Sequence, residues 1–371
     1  MNIAQKHKKN SPKIETEIKP KIRNKKDLAV FYTPGVGEIS KKISKNKKLL
    51  FDFTIKKNCV AVISDGSAIL GFGNLGAEAA LPVMEGKCIL FKKFGGLNAF
   101  PMTIKTQDPE EFVNVVKNIQ TPFSAINLED ISAPKCFEIE EKLKKECDVP
   151  VVHDDQHATS IVVLAGLINA FKFANKNLKN SKIVVNGVGA AGFNIVKLLH
   201  YFGVKNIIAC DSKGALYKGR PNMNVYKKEV ANYTNKEKVK TLKEALINAD
   251  AFVGVSAPNV LNKDLIRKMA EKPIIFALAN PIPEIYPQDA LKAGAFVVAT
   301  GRSDFQNQIN NALVFPGLFK GMIEKGKKEL TMEMKVKVAM AIANSVKRLS
   351  RNKIIPSIFQ KNLHKIVAKA V

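Results

Sequence analysis

Residues 182–192 read K-I-V-V-N-G-V-G-A-A-G, an apolar, β-branched run closed by Gly187, Gly189 and Gly192 in a G-x-G-x-x-G spacing. The run predicts a buried strand, and the F-N-I-V-K-L-L after Gly192 predicts a helix opening straight from the turn. A further strand, N-I-I-A-C over 206–210, ends at Asp211, 19 residues beyond Gly192. A dinucleotide needs close backbone approach to its pyrophosphate, N–H groups aimed at it, and an acceptor for the adenosine ribose. Gly187, Gly189, Ala190, Ala191, Gly192, Asp211 and, farther along, Asn280 are the candidate cofactor-binding residues. A carboxylate at 211 repels a 2′-phosphate and leans towards NAD, but Lys213 offsets it, so NAD and NADP both stay open.

Downstream, L-K-E-A-L (242–246), A-F-V-G-V-S (251–256), P-I-I-F-A-L-A-N-P (273–281) and A-F-V-V-A-T-G (295–301) alternate helix and strand. That alternation predicts a doubly wound parallel sheet, with ligand loops at the carboxyl ends of its strands. Asn280 and Thr300 lie at such ends. Asn310 and Asn311 are either helix caps or ligand donors, and helical segments follow to Val371.

Upstream, a second G-x-G-x-x-G (Gly71, Gly73, Gly76) follows a predicted buried strand over 58–64. It lacks an acid at the matching distance, where Gly95 and Gly96 stand, and Pro82 is expected to interrupt its helix early. These glycines are expected to let backbone approach a substrate or another loop. Lys87 precedes the apolar C-I-L-F, read as a strand; burial would lower its pKa towards the roughly 7–8 useful in a base, unless it snorkels to solvent. The stretch S-A-I-N-L-E-D-I (124–131) reads as a strand delivering Glu129 and Asp130, either oxygen ligands for a metal or a solvated acidic turn. In P-V-V-H-D-D-Q-H-A-T (150–159) the adjacent Asp154 and Asp155 repel unless a cation or a base sits between them. The two acidic strand ends are expected side by side in one sheet, joined by an amphipathic helix over 138–145. His153 and His157 share the spacing of a zinc-protease helix, but the incoming strand and the missing Glu oppose that reading. Residues 1–27 read as an irregular or partly helical lead-in, and 109–119 as a helix. In L-A-V-F-Y-T-P-G-V-G (28–37), a Pro-Gly turn presents Tyr32 and Thr33, with Tyr32 a packing residue or a catalytic one.

The 371 residues suffice for two domains, divided at 159/160. Composition, 46% hydrophobic and 25% charged, is ordinary for a globular protein. The +26 net charge suggests nucleic acid, yet only six of the 59 basic residues are Arg and the lysines are spread throughout, which reads as a solvated surface. The N-terminus lacks a secretory core and no apolar run approaches bilayer length, so no membrane association and a cytoplasmic location are expected. Five irregularly spaced cysteines point to reduced thiols.

Nine motifs, in order from about residue 30 to 320, resemble the malic enzymes of the short bacterial and archaeal type: Y-T-P-G-V-G, D-G-S-A-I-L-G-F-G-N-L-G, L-P-V-M-E-G-K, N-L-E-D, H-D-D-Q-H-A-T, G-V-G-A-A-G, D-S-K-G, A-L-A-N-P-I-P-E and A-T-G-R-S-D-F-Q-N-Q-I-N-N. The resemblance implies an N-terminal α/β substrate and metal domain followed by a Rossmann-like NAD(P) domain with C-terminal helices. It implies oxidative decarboxylation of L-malate to pyruvate and CO₂ with NAD or NADP and Mg²⁺ or Mn²⁺, in a homodimer. Carried over by motif, Lys87 is the general base and Tyr32 the general acid, with Asp154 beside Lys87. Glu129, Asp130 and Asp155 hold the metal, and Asn280 and Asn311 bind the substrate carboxylates. Ala68 stands where the large eukaryotic type has Arg, leaving the cation facing the substrate carboxylate unassigned. No motif matches the phosphotransacetylase-like extension of some bacterial relatives. A malolactic reaction would release lactate without net reduced cofactor, and a non-decarboxylating 2-hydroxyacid dehydrogenase would turn over without metal. A non-enzymatic nucleic-acid binder would show salt-sensitive DNA binding and tolerate loss of Asp155.

Overall fold

Contiguous apolar runs, buried on both faces, build two parallel sheets in the computed structural model, which describes residues 2–371. The first comprises β1 (Cys59–Ser64), β2 (Asn98–Thr103), β3 (Ala125–Leu128) and β4 (Val151–His153), in the order β2-β1-β3-β4, all parallel. The second comprises β5 (Lys182–Asn186), β6 (Asn206–Asp211), β7 (Gly214–Ala215), β8 (Ala251–Gly254), β9 (Ile274–Ala277) and β10 (Val297–Thr300). Its order is β10-β9-β8-β5-β6-β7, parallel except where β7 turns back on β6. This is the α/β, doubly wound arrangement expected from the alternation, with helices Phe315–Glu324, Met332–Asn344 and Leu363–Ala370 closing the chain.

Two expectations fail, both around Lys87. The segment read as a strand after Gly86 is helical, part of a helix from Ala77 to Leu90 that runs through Pro82 rather than stopping there. A proline inside a helix forfeits one hydrogen bond and costs about 3 kcal/mol. Here Ala80, Met84, Lys87 and Cys88 are buried on the same helix, and the packing outweighs the loss. The strand β2 went unread in the sequence; it carries Pro101 and occupies the sheet edge, where a missing N–H leaves no ladder bond unmade.

The longest helix, Asp154–Ala174, starts directly after β4, seven residues before the apolar run that opens at Ile161. At 21 residues it is long and apolar enough to cross a membrane by composition, but it lies in the core, packed against helices Ala190–Phe202 and Met332–Asn344. All five cysteines are buried and unpaired. By contrast, helices Ile3–Lys9, Lys25–Phe31, Gly35–Lys45 and Leu50–Phe53 bury no residue, and Leu28, Val30, Phe31, Val36, Phe51 and Phe53 are exposed.

Candidate active site

Parallel pairing of β3 with β4 sets Leu128 opposite His153, so the two acidic pairs leave adjacent strand ends as expected. Carboxylate oxygens of Glu129, Asp130 and Asp155 come within 4.8 Å of one another. Asp155 accepts the Asp130 backbone N–H at 3.0 Å, and Asp130 itself adopts a left-handed φ of +52°. The loop after β1 is stitched to the same residue, since Ala68 N–H donates to the Asp130 carbonyl at 2.9 Å. Asp130 Oδ2 is buried without a hydrogen-bond partner. An orphaned carboxylate oxygen in a three-carboxylate cluster is the donor set of a hard divalent cation, Mg²⁺ or Mn²⁺.

Lys87 enters this cluster from the Ala77–Leu90 helix. It hydrogen-bonds Asp154, lies 2.9 Å from Glu129, and is 9% exposed. The expectation of a lowered pKa is overturned. Burial does lower it, but Asp154, then Glu129 and Asp155, outweigh burial and hold the ammonium charged. The acids answer in kind: burial, opposed by Lys87, raises Asp154 and Glu129, and burial plus Asp155 lifts Asp130 to about 7.

In the second sheet the Gly187–Gly192 loop joins β5 to the Ala190–Phe202 helix. A Cβ on Gly192 would sit 1.7 Å from the Gly187 carbonyl oxygen, so only glycine lets the helix close on the strand. The other glycine motif serves contact between the sheets. A Cβ on Gly71 would meet the Asn280 carbonyl oxygen at 1.5 Å. The loop after β1 is therefore seated on the loop after β9, which brings the carboxyl ends of the two sheets together.

The Malic enzyme, N-terminal domain family model matches residues 11–144, and the Malic enzyme, NAD binding domain model matches 157–371. The chain belongs to the malic enzyme family. The bifunctional malic/malolactic enzyme of Bacillus subtilis is 52% identical over 369 residues, spanning 98% of this chain and 90% of that protein. The NAD-dependent malic enzyme of Geobacillus stearothermophilus is 48% identical, spanning 97% and 76%. The crystal structure of the NAD-dependent malic enzyme from Thermotoga maritima superimposes with a TM-score of 0.97 at 45% identity, covering 100% of this chain and 99% of that one.

Within this malic enzyme fold, several neighbours of the candidate residues escaped the sequence. Asp211 ends β6 as expected, but Lys213 contributes only its backbone N–H. The charge offset comes instead from Arg220, whose guanidinium grips both carboxylate oxygens, and from Lys227 Nζ at 2.7 Å. Burial pushes the Asp211 carboxyl up, yet the Arg220 and Lys227 hydrogen bonds hold it well below the usual carboxylate range. Phe315 lies beneath Lys87, its ring centroid 4.5 Å from Nζ. Asn311, in the short turn Asn311–Leu313, stands four residues before it, while Asn310 caps that turn through Ala312 N–H. His157 faces Glu140 and Lys335 rather than the carboxylate cluster. Tyr32 is 64% exposed and makes no side-chain hydrogen bond or aromatic contact among the described residues.

Proposed function

We propose that this malic enzyme family member oxidatively decarboxylates L-malate to pyruvate and CO₂, with a divalent metal held by Glu129, Asp130 and Asp155. The observation that carries the reading is a buried lysine hydrogen-bonded to Asp154 at the edge of a three-carboxylate cluster. Lys87 takes the proton of the C2 hydroxyl, and Asp154, hydrogen-bonded to it, is the neighbouring group through which Lys87 first sheds its own. The nicotinamide cofactor, on the Gly187–Gly192 loop, is the hydride acceptor. Glu129, Asp130 and Asp155 would hold a divalent cation, which would supply the Lewis acidity that makes loss of CO₂ feasible. Tyr32 donates the proton at C3, and Asn280 and Asn311 bind the substrate carboxylates.

Because Arg220 and Lys227 together outnumber the single charge of Asp211, a 2′-phosphate meets no net repulsion, and both NAD and NADP fit the reading. The exposed apolar face of the N-terminal helices, which includes Tyr32, is covered by a second copy in a homodimer.

The test is the absorbance of reduced nicotinamide with L-malate and Mn²⁺, run with NAD and NADP separately and with EDTA. The expected result is a metal-dependent rise matched by pyruvate. A metal-independent rise without pyruvate would refute decarboxylation. A malolactic reaction is the second reading, favoured by the name of the Bacillus subtilis relative. Lactate appearing without net reduced cofactor would establish it.

A further inference from the structure

Outside the carboxylate cluster lies a second buried charged group. Glu140, on helix Lys135–Glu146, is 3% exposed, and its Oε1 accepts the His153 backbone N–H at 3.0 Å. Both its carboxylate oxygens lie within hydrogen-bond reach of His157 Nε2, at 2.8 and 2.9 Å. Lys144 Nζ adds an ion pair at 2.9 Å. On the far side of the imidazole, His157 Nδ1 lies 2.9 Å from Lys335 Nζ, on helix Met332–Asn344. A lysine donating to Nδ1 leaves Nε2 as the N–H that donates to Glu140, so one tautomer is selected.

The two Glu140 contacts bracket the acid pair. His153 is the residue before Asp154, and His157 is the second after Asp155. His153 is also the N-cap of the Asp154–Ala174 helix and supplies no side-chain cap of its own. In a capping box, an acid from inside the helix accepts the N–H of the N-cap residue. Here that acid comes from a different helix, and it pins the start of the turn and its far side at once. Asp155 must project from this turn to accept the Asp130 N–H and join the cluster.

We propose that Glu140, acting through His153 and His157, is a positioning residue that fixes the turn carrying the acid pair, setting Asp155 in the metal site and Asp154 against Lys87. The inference rests on the metal reading of Glu129, Asp130 and Asp155. Partners behind the ligands of a metal change its affinity by about 10–100-fold when removed.

The test is Mn²⁺ binding to the full chain, by paramagnetic resonance titration and without substrate, for Glu140→Ala, Glu140→Gln, Leu143→Ala and Asp155→Asn. Glu140→Ala is expected to raise the Mn²⁺ Kd at least about tenfold. Glu140→Gln, which keeps an acceptor for the His153 N–H, recovers most of that loss. Leu143 is fully buried on the same helix and touches no part of the turn's hydrogen bonding. Its truncation is expected to lower Tm while leaving Kd within about twofold, which separates positioning from stability. Equal weakening by Leu143→Ala, or an unchanged Kd in Glu140→Ala, overturns the proposal. Wild-type binding by Asp155→Asn would instead remove the metal reading, and this proposal with it. If Glu140→Ala fails to fold, Glu140→Asp carries the same test, since it shortens the reach to both contacts.

Discussion

Lys87 and Lys335 are both nearly solvent-free, at 9% and 5% exposure, and their ammonium groups are pushed in opposite directions. Lys87 is held charged, whereas burial pulls Lys335 down to about 7, with Glu140 only partly opposing. The difference lies in what touches each nitrogen. Lys87 contacts two carboxylates, Asp154 and Glu129, while Lys335 contacts a neutral imidazole with Glu140 beyond it. A carboxylate in contact is worth about 4 kcal/mol at an effective dielectric of 20, which equals roughly three pKa units. One such contact cancels a typical burial cost and a second reverses it. Depth in the fold therefore does not set the charge of a lysine; the count of acids at contact does.

Removing each lysine in turn separates the two most strongly. Lys87→Ala is expected to lower kcat/KM for malate by about 10³-fold, within the range for loss of an acid–base group, whereas Lys335→Met costs no more than about tenfold. Equal losses in steady-state assays would show that both nitrogens do the same work. Asp154→Asn comes next: it removes the hydrogen-bonded neighbour of Lys87, and kcat should fall about 100-fold.

A smaller effect reads the protonation of Lys335 directly. Its folded pKa of about 7 lies below the ordinary value of 10.5, so between those pH values the unfolded chain binds a proton that the folded chain does not. Stability from this group thus rises with pH across that window, and its full cost is present below pH 7. Lys335→Met removes the cost. The stability of the variant minus that of wild type should be greatest at pH 6 and shrink by about 2.6 kcal/mol by pH 9, measured by urea unfolding. A difference that stays flat from pH 6 to pH 9 would mean that Lys335 keeps its proton in the folded chain. The smallest effect is expected from Phe315→Leu, which withdraws the ring under Lys87; a cation–π loss near 1 kcal/mol should lower kcat/KM about fivefold.

Much of the candidate site was legible because it sits at strand ends. The runs before Glu129 and Asp154 are short, apolar and followed at once by acids, and two such strands beside each other bring the acids together. The glycine loop with Asp211 was equally readable, since its distances are fixed along one βαβ unit. The helix holding Lys87 was misread because C-I-L-F is short and apolar in either period, and only packing decides between helix and strand. Arg220 and Lys227 reach Asp211 from a loop and a separate helix without periodic pattern, and Lys335 meets His157 across 178 residues. No local spacing encodes such contacts. Composition gave the lysine count, while the carboxylate environment that sets each pKa exists only after folding.

The helix from Asp154 to Ala174 also fixes the length of its own segment. Its first turn carries the acids of the cleft, and buried residues follow on every side down to Ala174. Each residue in a helix turns the next by about 100°. Inserting or deleting one residue between Ala158 and Phe171 would leave the far half in register with the core and swing Asp154 and Asp155 out of the cleft, or the reverse. Substitutions can be absorbed along this rod; a change of one in its count cannot, whereas the exposed loops between helices and strands can gain or lose residues without rotating anything that reacts.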